Sequence, residues 1–406
     1  MTATDCAEGY RHGIGENSAE SVPRTPVTSA LDSRSVRMSA TNLTVGRPRA
    51  DAIAGSLLGT AVGDAVGLPV EGLSRERQRR LFGPITGQRL MFRRGMVSDD
   101  TEHAILVAQA LIRSGGDPES FSRTLARQLR IWFALLPAGI GFATLRACLK
   151  LCVGVPPDRS GVYSAGNGPA MRAALIGVRH GADTELVKRL IRVSSRITHT
   201  DPRAEEGALA VALAAHLSAT GCLRADDFAA RWRALSPDEA DGELGRAIDA
   251  ACRAAATGMS TPDFAASIGL ARGVSGYICH TVPVALHASL RYPSDLRAAV
   301  LGAIACGGDT DSVAAVVGGI VGAGVGKGGI PADWLAGLAE WPRTVRWMEH
   351  LADRLGTVDD VVPGSVGIPG GVGRMLPVFL SAVIVRNLLF LTVVLYHGAR
   401  RLLPPY

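Results

Sequence analysis

Apolar residues recur every three or four positions through most of the chain between residues 51 and 355. This is the period of a helix with one buried face, whereas the alternation of period two that is typical of strands is rare and brief. The pattern therefore predicts an all-α protein. The predicted helices cover residues 101–114, 118–135, 140–153, 168–180, 184–193, 203–219, 225–233, 243–257, 277–291, 295–305, 311–325 and 340–355.

A row of glycines marks a further predicted helix near the start of this region. Gly55, Gly59, Gly63 and Gly67 recur every four residues, so they lie on one face of a helix that Pro69 ends. Each glycine costs a helix about 1 kcal/mol relative to alanine, so four in register need a physical reason. Close contact with a second helix supplies one, and close approach of the backbone to a ligand supplies another. The sequence leaves both open.

The two ends of the chain differ in composition from the region between them. Residues 1–48 are rich in Ser, Thr, Arg, Gly and Pro and are predicted to be disordered, whereas 49–357 is predicted to form a single domain. A Gly- and Pro-rich linker, 358–374, leads to a predicted apolar C-terminal helix within 375–406. This helix approaches the length of a membrane span, but Arg386 in its middle is costly at bilayer depth. We favour packing against the protein or a partner over membrane association.

Charge and cysteine usage exclude several classes of function. The net charge is +6, but the arginines are scattered and no basic block is interleaved with aromatic residues, so no nucleic-acid partner is required. The seven cysteines are widely spread and form no zinc or redox motif, which is typical of small buried side chains in a reducing compartment. No secretory signal is apparent near the N-terminus. These features together predict a cytoplasmic protein.

Two acidic clusters stand at predicted helix starts far apart in the chain, the first at 98–100 and the second at 309–312. Carboxylates that follow the predicted N-cap Ser98 stabilise a helix start, so capping alone would explain the first cluster. If the fold brings both together, six hard oxygen donors meet, and Mg²⁺ and Mn²⁺ prefer such ligands. Two such ions can share carboxylates and activate a water. The predicted ligands of this binuclear Mg²⁺ or Mn²⁺ site are Ser98, Asp99, Asp100, Asp309, Asp311 and Ser312.

Three loops before helices are weaker candidates for a binding site. The backbone N–H groups of the turn 164–168 can hold a phosphate, although an ordinary Asn-Gly turn has the same sequence. His199 is more often a structural residue than a catalytic one, and the loop 275–277 is weaker still. Gly307 and Gly308 permit close approach of the backbone to a ligand. There is no P-loop around Gly326, no Gly-x-Ser-x-Gly elbow and no His-Glu-x-x-His zinc helix.

Taken as a set, these segments resemble the ADP-ribosylglycohydrolase family. The matching segments are GSLLGTAVGDAVGLPVEG (55–72), SDDT (98–101), SAGNGPAMRAALIG (164–177), THTDPRA (198–204), SGYICHTVPVALHA (275–288) and GGDTDSVAAVVGGIVGA (307–323). The paired SDDT and GGDTDS segments are the most specific of these. Ser98 stands where family members more often carry Thr, and it keeps the hydroxyl.

The resemblance implies a single orthogonal α-helical bundle with two Mg²⁺ or Mn²⁺ ions in a cleft. It implies a hydrolase that removes ADP-ribose from a protein side chain, such as arginine or serine, or from another acceptor such as a nucleic acid or a small molecule. Glu71 matches a residue of the cleft gate, and Asp100 or Asp309 is expected to carry protons. The residues expected to contact substrate are Ser164, Gly166, Asn167, Gly168, His199, Gly276, Tyr277, Gly307 and Gly308.

Two other functions are compatible with the same residues. A non-catalytic ADP-ribose-binding or structural protein can keep the fold, although it has no physical need for six oxygen ligands. A binuclear metallophosphatase that acts on nucleotides would use the same donor set. The identity of the acceptor is open, because no segment selects among the possible linkages.

Overall fold

The computed structural model describes residues 48–358 and 376–400, and this part of the chain is all-α, as predicted. It contains eighteen α-helices and one two-stranded antiparallel sheet. The helices are α1 (Arg49–Gly67), α2 (Arg75–Phe82), α3 (Asp99–Ser114), α4 (Pro118–Ala134), α5 (Phe142–Cys152), α6 (Pro157–Ser160), α7 (Ala174–His180), α8 (Thr184–Arg196), α9 (Pro202–Ala219), α10 (Phe228–Leu235), α11 (Glu243–Ala256), α12 (Thr261–Ser267), α13 (Ile278–Arg291), α14 (Leu296–Ile304), α15 (Thr310–Val325), α16 (Ala332–Gly337), α17 (Val345–Thr357) and α18 (Leu380–Arg400). The strands are β1 (Leu73–Ser74) and β2 (Gly307–Gly308).

The differences from the predicted helices follow from their length and their ends. The sequence pattern missed α2, α6, α12 and α16, which have at most eight residues and therefore too few turns to show a period. The single helix predicted over 168–180 is instead a 3₁₀ turn, Ala170–Arg172, followed by α7. The predicted N-terminal segment and the predicted linker lie outside the described residues, apart from Pro48 and Val358.

Glycines form the contact between α1 and α15, which are both buried almost throughout their length. A Cβ atom on Gly59 would lie 2.1 Å from the carbonyl oxygen of Gly318, and one on Gly318 would lie 2.0 Å from that of Gly59. A Cβ on Gly63 would lie 2.1 Å from the carbonyl oxygen of Ala314. No side chain fits between the two backbones. The glycine row therefore serves helix–helix contact, the first of the two explanations that the sequence left open.

Helix α18 packs one face against the body of the protein. The buried Arg386 side chain forms an ion pair of 2.6 Å with Glu340, and its Nη2 donates a hydrogen bond to the carbonyl oxygen of Val97. Asn387 donates from Nδ2 to the carbonyl oxygen of Leu135 at 2.8 Å. The predicted C-terminal helix is thus present and contacts the protein through its polar residues.

The opposite face of α18 is apolar and exposed. It presents Leu388, Leu389, Leu395 and Tyr396, each at least half exposed. Within the described residues, α1 and α18 are the two helices long and apolar enough to cross a membrane. The apolar window of α1 is entirely buried inside the protein, whereas about a third of the apolar window of α18 is buried. These apolar stretches thus differ in their surroundings, α1 being a core helix and α18 a surface helix.

The described cysteines carry free thiols, but they are not all buried as their spacing suggested. Cys148, Cys252, Cys279 and Cys306 are buried. The side chains of two others, Cys152 and Cys222, are exposed. The expectation of small buried side chains is therefore right for four of the six and wrong for these two.

Candidate active site

The start of α3 is held by a carboxylate from α1. Ser98 caps the helix, because its Oγ accepts a hydrogen bond from the backbone N–H of Asp100 at 3.3 Å. The buried Asp64 accepts from the N–H of Ser98 at 2.9 Å, and from both the N–H and the hydroxyl of Thr101. The sequence analysis assigned no role to Asp64. Its position fixes the first turn of α3 relative to α1.

The two-stranded sheet ties the loop of Glu71 to the start of α15. The N–H of Gly72 donates to the carbonyl oxygen of Gly308 at 2.8 Å, where β1 meets β2. Gly307 and Gly308 have φ values of 72° and 84°, which favour glycine, and a Cβ on Gly308 would lie 1.9 Å from the carbonyl oxygen of Val274. This close approach is to protein backbone. The sheet thereby brings Glu71 beside the second acidic cluster.

The two acidic helix starts come together. Ser312 Oγ donates a hydrogen bond of 3.1 Å to Oδ2 of Asp100, and Ser98 Oγ donates to the same oxygen at 3.1 Å. Asp64, Asp100 and Asp311 each offer a carboxylate oxygen, and these three atoms lie within 4.8 Å of one another. The convergence expected from the sequence is therefore present, with Asp64 as an additional member.

Burial and mutual repulsion raise the pKa values of this cluster. Burial, followed by the charge of Asp64, holds the pKa of Asp99 well above its ordinary value, and burial with Asp99 does the same for Asp100. Burial, then Glu71, raises the pKa of Asp311. Burial alone raises the pKa of Asp64 to about 7. Burial and mutual repulsion disfavour ionisation of all these carboxylates at once, and a bound cation would stabilise their ionised forms.

The atoms of the cluster fit a hard divalent cation. Oδ1 of Asp100 and Oδ1 of Asp311 are buried and have no hydrogen-bond partner among the described residues. Buried polar atoms without a partner are rare and require an explanation, which an oxygen-preferring ion provides. The oxygens of Asp64 already accept hydrogen bonds from the start of α3. Both oxygens of Asp64 are thus occupied by hydrogen bonds within the protein, whereas Asp100 and Asp311 each keep one buried oxygen available to a cation.

The glycine-rich loop 164–168 lies against the second acidic cluster. The N–H of Asn167 donates to the carbonyl oxygen of Gly276 at 2.9 Å, and its Nδ2 donates to Oδ2 of Asp309 at 2.7 Å. The N–H of Ile278 donates to the carbonyl oxygen of Ala165. The loop is thus pinned on one side by backbone pairing and on the other by a carboxylate.

His199 supports this loop from below. A Cβ on Gly166 would lie 2.9 Å from its Nε2, and one on Gly168 would lie 2.8 Å from its Cε1. Its Nδ1 lies 2.9 Å from Oγ1 of Thr198, which also accepts a hydrogen bond from the buried guanidinium of Arg172. Burial, with a smaller effect from Arg172, lowers the pKa of His199 to about 3. The imidazole is therefore neutral, and it packs directly against the two glycines.

A cavity of about 580 Å³ opens over the acidic cluster, a size typical of small-molecule sites. It contacts fourteen of the sixteen residues predicted from the sequence. They are Glu71, Ser98, Asp99, Asp100, Ser164, Gly166, Asn167, Gly168, His199, Gly276, Gly308, Asp309, Asp311 and Ser312.

The remaining two predicted residues do not line the cavity. Tyr277 turns its hydroxyl towards Glu243 and Arg203, with a hydrogen bond of 2.7 Å to the former. Gly307 faces the backbone of Arg75, to which an added Cβ would approach within 2.6 Å. Both positions serve local packing in this structure.

Sequence reasoning missed two parts of the cavity wall. The segment 138–144, which ends the loop after α4 and begins α5, contributes one part, and Gly139 is close enough that an added Cβ would lie 3.8 Å from Oδ1 of Asp99. Helix α18 contributes Phe390 and Val394. The apolar composition of both segments gave no indication of a site.

Apart from Phe390 and Val394, the residues around this cavity fall within a stretch that matches a known family. The family model described as ADP-ribosylglycohydrolase matches residues 46–363. The chain belongs to the ADP-ribosylglycohydrolase family. It is accordingly an enzyme that hydrolyses a glycosidic bond to ADP-ribose, and the resemblance recognised in the sequence is confirmed.

Individual relatives agree with this assignment. A protein of Archaeoglobus fulgidus is 35% identical over 74% of this chain and 94% of its own length. The ADP-ribosylarginine hydrolase Tri1 of Pseudomonas putida is 27% identical over 77% of this chain and 80% of its own. A solved structure described as an ADP-ribosylglycohydrolase-related protein complex superimposes with a TM-score of 0.55 and 28% identity, over 76% of this chain and 98% of that one. Helix α18 lies beyond the stretch that the family model covers.

Proposed function

We propose that this ADP-ribosylglycohydrolase uses two Mg²⁺ or Mn²⁺ ions to release ADP-ribose from a modified side chain or small molecule. The observation that carries the proposal is the meeting of Asp100 and Asp311, each with a buried oxygen that has no partner among the described residues. The proposed ligands are Ser98, Asp99, Asp100, Asp309, Asp311 and Ser312. Bound there, the ions would orient the ribose hydroxyls and lower the pKa of a water.

The residues of the chain divide the remaining work. Oδ2 of Asp100 is occupied by the hydroxyls of Ser98 and Ser312, which leaves Oδ1 for the cation. Asp309 borders the open cavity and has a pKa that burial raises, so we assign it the role of accepting the proton of the attacking water. Glu71 is exposed at the cavity, and we assign it contact with the substrate near the glycosidic bond.

The loop 164–168 is the proposed site of the diphosphate. Its backbone is glycine-rich and borders the cavity, which allows N–H groups to approach anionic oxygens closely. The neutral His199 beneath it adds no repulsive or attractive charge and sets the position of the loop. The arrangement supports a substrate whose anionic part lies next to Asp309.

The test is the release of free ADP-ribose by the full-length protein with Mg²⁺ or Mn²⁺. A peptide ADP-ribosylated on arginine is supplied because one relative is named as an ADP-ribosylarginine hydrolase. A peptide ADP-ribosylated on serine is supplied as well, because the acceptor is open. We expect free ADP-ribose from at least one of them. Orthophosphate from a nucleoside diphosphate would instead indicate a phosphatase, and the absence of both products would indicate a non-catalytic protein.

A matched pair of variants ties the activity to the cluster. Asp311→Asn removes a proposed ligand, and Asp226→Asn makes the same chemical change at an exposed surface carboxylate. We expect the first to lose turnover and the second to keep it. Equal activity in both variants would contradict the proposed role of the cluster.

A further inference from the structure

The cavity has two chemically different walls beside the acidic cluster. The polar wall adjoins Asp309, because the side chain of Asn167 is hydrogen-bonded to that carboxylate. The apolar wall adjoins Asp99, since it includes the loop around Gly139. It also includes Leu68, three residues before Glu71. The polar wall therefore lies beside Asp309, and the apolar wall lies beside Asp99.

Helix α18 supplies part of the apolar wall. The buried ring of Phe390 packs in one cluster with Leu68 and Ala138, and both Phe390 and Val394 line the cavity. This helix lies outside the stretch that the family model covers, so membership of the family does not by itself imply its contribution.

The helix is anchored beside the proposed metal ligands. Arg386 donates to the carbonyl oxygen of Val97, the residue immediately before Ser98. The same guanidinium pairs with Glu340, which also accepts a hydrogen bond from the N–H of Val97 at 2.9 Å. Because the buried Arg386 makes both an ion pair and a hydrogen bond here, it holds Phe390 in a fixed position relative to the start of α3.

The polarity of the two walls orients the substrate. The diphosphate of ADP-ribose needs N–H donors, which the loop 164–168 offers beside Asp309. The group on the other side of the scissile bond then faces the wall beside Asp99. The apolar surface of that wall comes from the partly exposed Val394, and the buried side chains of Phe390 and Leu68, 2% and 6% exposed, pack directly behind it and set its position.

We propose that Phe390 and Val394 form an acceptor subsite, which favours ADP-ribosyl substrates whose acceptor carries an apolar or aromatic group next to the glycosidic bond. This inference rests on the proposed function, because it takes the acidic cluster as the place where the bond is cleaved. An apolar contact of this size discriminates between acceptors by about 10- to 200-fold in kcat/KM.

The test compares two substrates that share ADP-ribose and differ in the acceptor. One is an ADP-ribosylated arginine peptide, and the other is an ADP-riboside of a simple phenol. The ratio of kcat/KM between Phe390→Ala and the unchanged enzyme is measured for each substrate, so that the intrinsic reactivity of the leaving group cancels. We expect a loss of about 10-fold or more for the aryl substrate and about twofold or less for the arginine substrate.

Two further variants separate the subsite from general damage to α18. Leu389→Ala makes a similar truncation on the outer face, where Leu389 is 50% exposed, and is expected to change neither substrate. Val394→Thr keeps the shape of a partly buried side chain and replaces a methyl with a hydroxyl, so it preserves packing. It is expected to weaken turnover of the aryl substrate selectively. Equal losses for both substrates, or no loss in either variant, would overturn the proposal.

A binding measurement keeps this result distinct from failure of the proposed function. If the unchanged enzyme cleaves neither of these substrates, calorimetry compares the affinity of the aryl ADP-riboside with that of free ADP-ribose. The proposed function itself fails only if the serine-linked peptide is not cleaved either. Selective weakening of the aryl ligand by Phe390→Ala and Val394→Thr would still support the subsite. Unchanged relative affinity would overturn it.

Discussion

The hydroxyl of Ser312 lies 3.1 Å from Oδ2 of Asp100, which joins two residues separated by 212 positions in the chain. This contact closes the acidic cluster, because Ser312 belongs to the first turn of α15 and Asp100 to the first turn of α3. Each acidic helix start alone would be an ordinary helix terminus. Their contact joins the two into one buried group of oxygen donors.

Removal of one carboxylate should separate metal binding from stability. Asp311→Asn is expected to weaken Mn²⁺ binding by more than about 100-fold. Loss of a residue that only hydrogen-bonds to a metal ligand already lowers metal affinity by about 10- to 100-fold, and loss of a ligand should lower it further. The same change should raise the melting temperature of the metal-free protein, since it removes one of several buried like charges. Calorimetry of Mn²⁺ binding and thermal unfolding provide the two readings. A variant with unchanged Mn²⁺ affinity would contradict the assignment, and Asp226→Asn is the control.

The glycine contact between α1 and α15 should tolerate no added atom. Gly59→Ala places a Cβ 2.1 Å from a backbone carbonyl that belongs to a buried helix and cannot move aside. We expect the free energy of unfolding to fall by about 3 kcal/mol or more. Chemical denaturation measures it, with Gly328→Ala as the control, because a Cβ there meets nothing within 4 Å. Similar stability in the two variants would mean that the helices are less closely packed than described.

The loop over His199 should be sensitive to a single methyl group. Gly168 does not have a positive φ, so Gly168→Ala introduces only a clash with the imidazole. Displacement of the loop is expected to lower kcat/KM by about 10- to 100-fold. Mn²⁺ affinity should fall by no more than about 10-fold, because the loop supplies no proposed metal ligand and touches one only through the hydrogen bond from Asn167 to Asp309. A loss of Mn²⁺ affinity as large as that expected for Asp311→Asn would contradict this separation of the loop from the metal ligands.

Glu206 should make stability depend on pH away from the cleft. Burial, followed by the charges of Glu205 and Glu239, raises the pKa of Glu206 to about 7 from its ordinary 4.5. The folded protein therefore holds this proton more tightly than the unfolded chain, so stability falls as pH rises from about 4.5 to about 7. Glu206→Gln should raise the melting temperature at pH 8 and leave it nearly unchanged at pH 4. An increase of the same size at both values would exclude this ionisation as the cause.

Sequence patterns predicted the parts of the site that carry local signals. SDDT and GGDTDS combine a cap, two carboxylates and a helix start, and both open helices in the structure, α3 at Asp99 and α15 at Thr310. The loop 164–168 combines glycine with asparagine, a combination that identifies a turn from the sequence alone. These signals are readable because each is contained within a few neighbouring residues.

The parts that could not be predicted depend on distant contacts. The role of Asp64 arises from hydrogen bonds to the next long helix, and no local pattern around it indicates a partner. The glycine row did not reveal whether a helix or a ligand lay against it, because both need the same absence of side chains. Phe390 lies in an apolar helix whose place at the cavity depends on the ion pair of Arg386.

The central claim is that the starts of α3 and α15 hold divalent cations between them. Crystals soaked with Mn²⁺ test this most directly through anomalous scattering at a wavelength where manganese absorbs. We predict anomalous peaks in contact with the carboxylates of Asp100 and Asp311. Bound Mn²⁺ elsewhere, with no peak beside these two carboxylates, would contradict the claim.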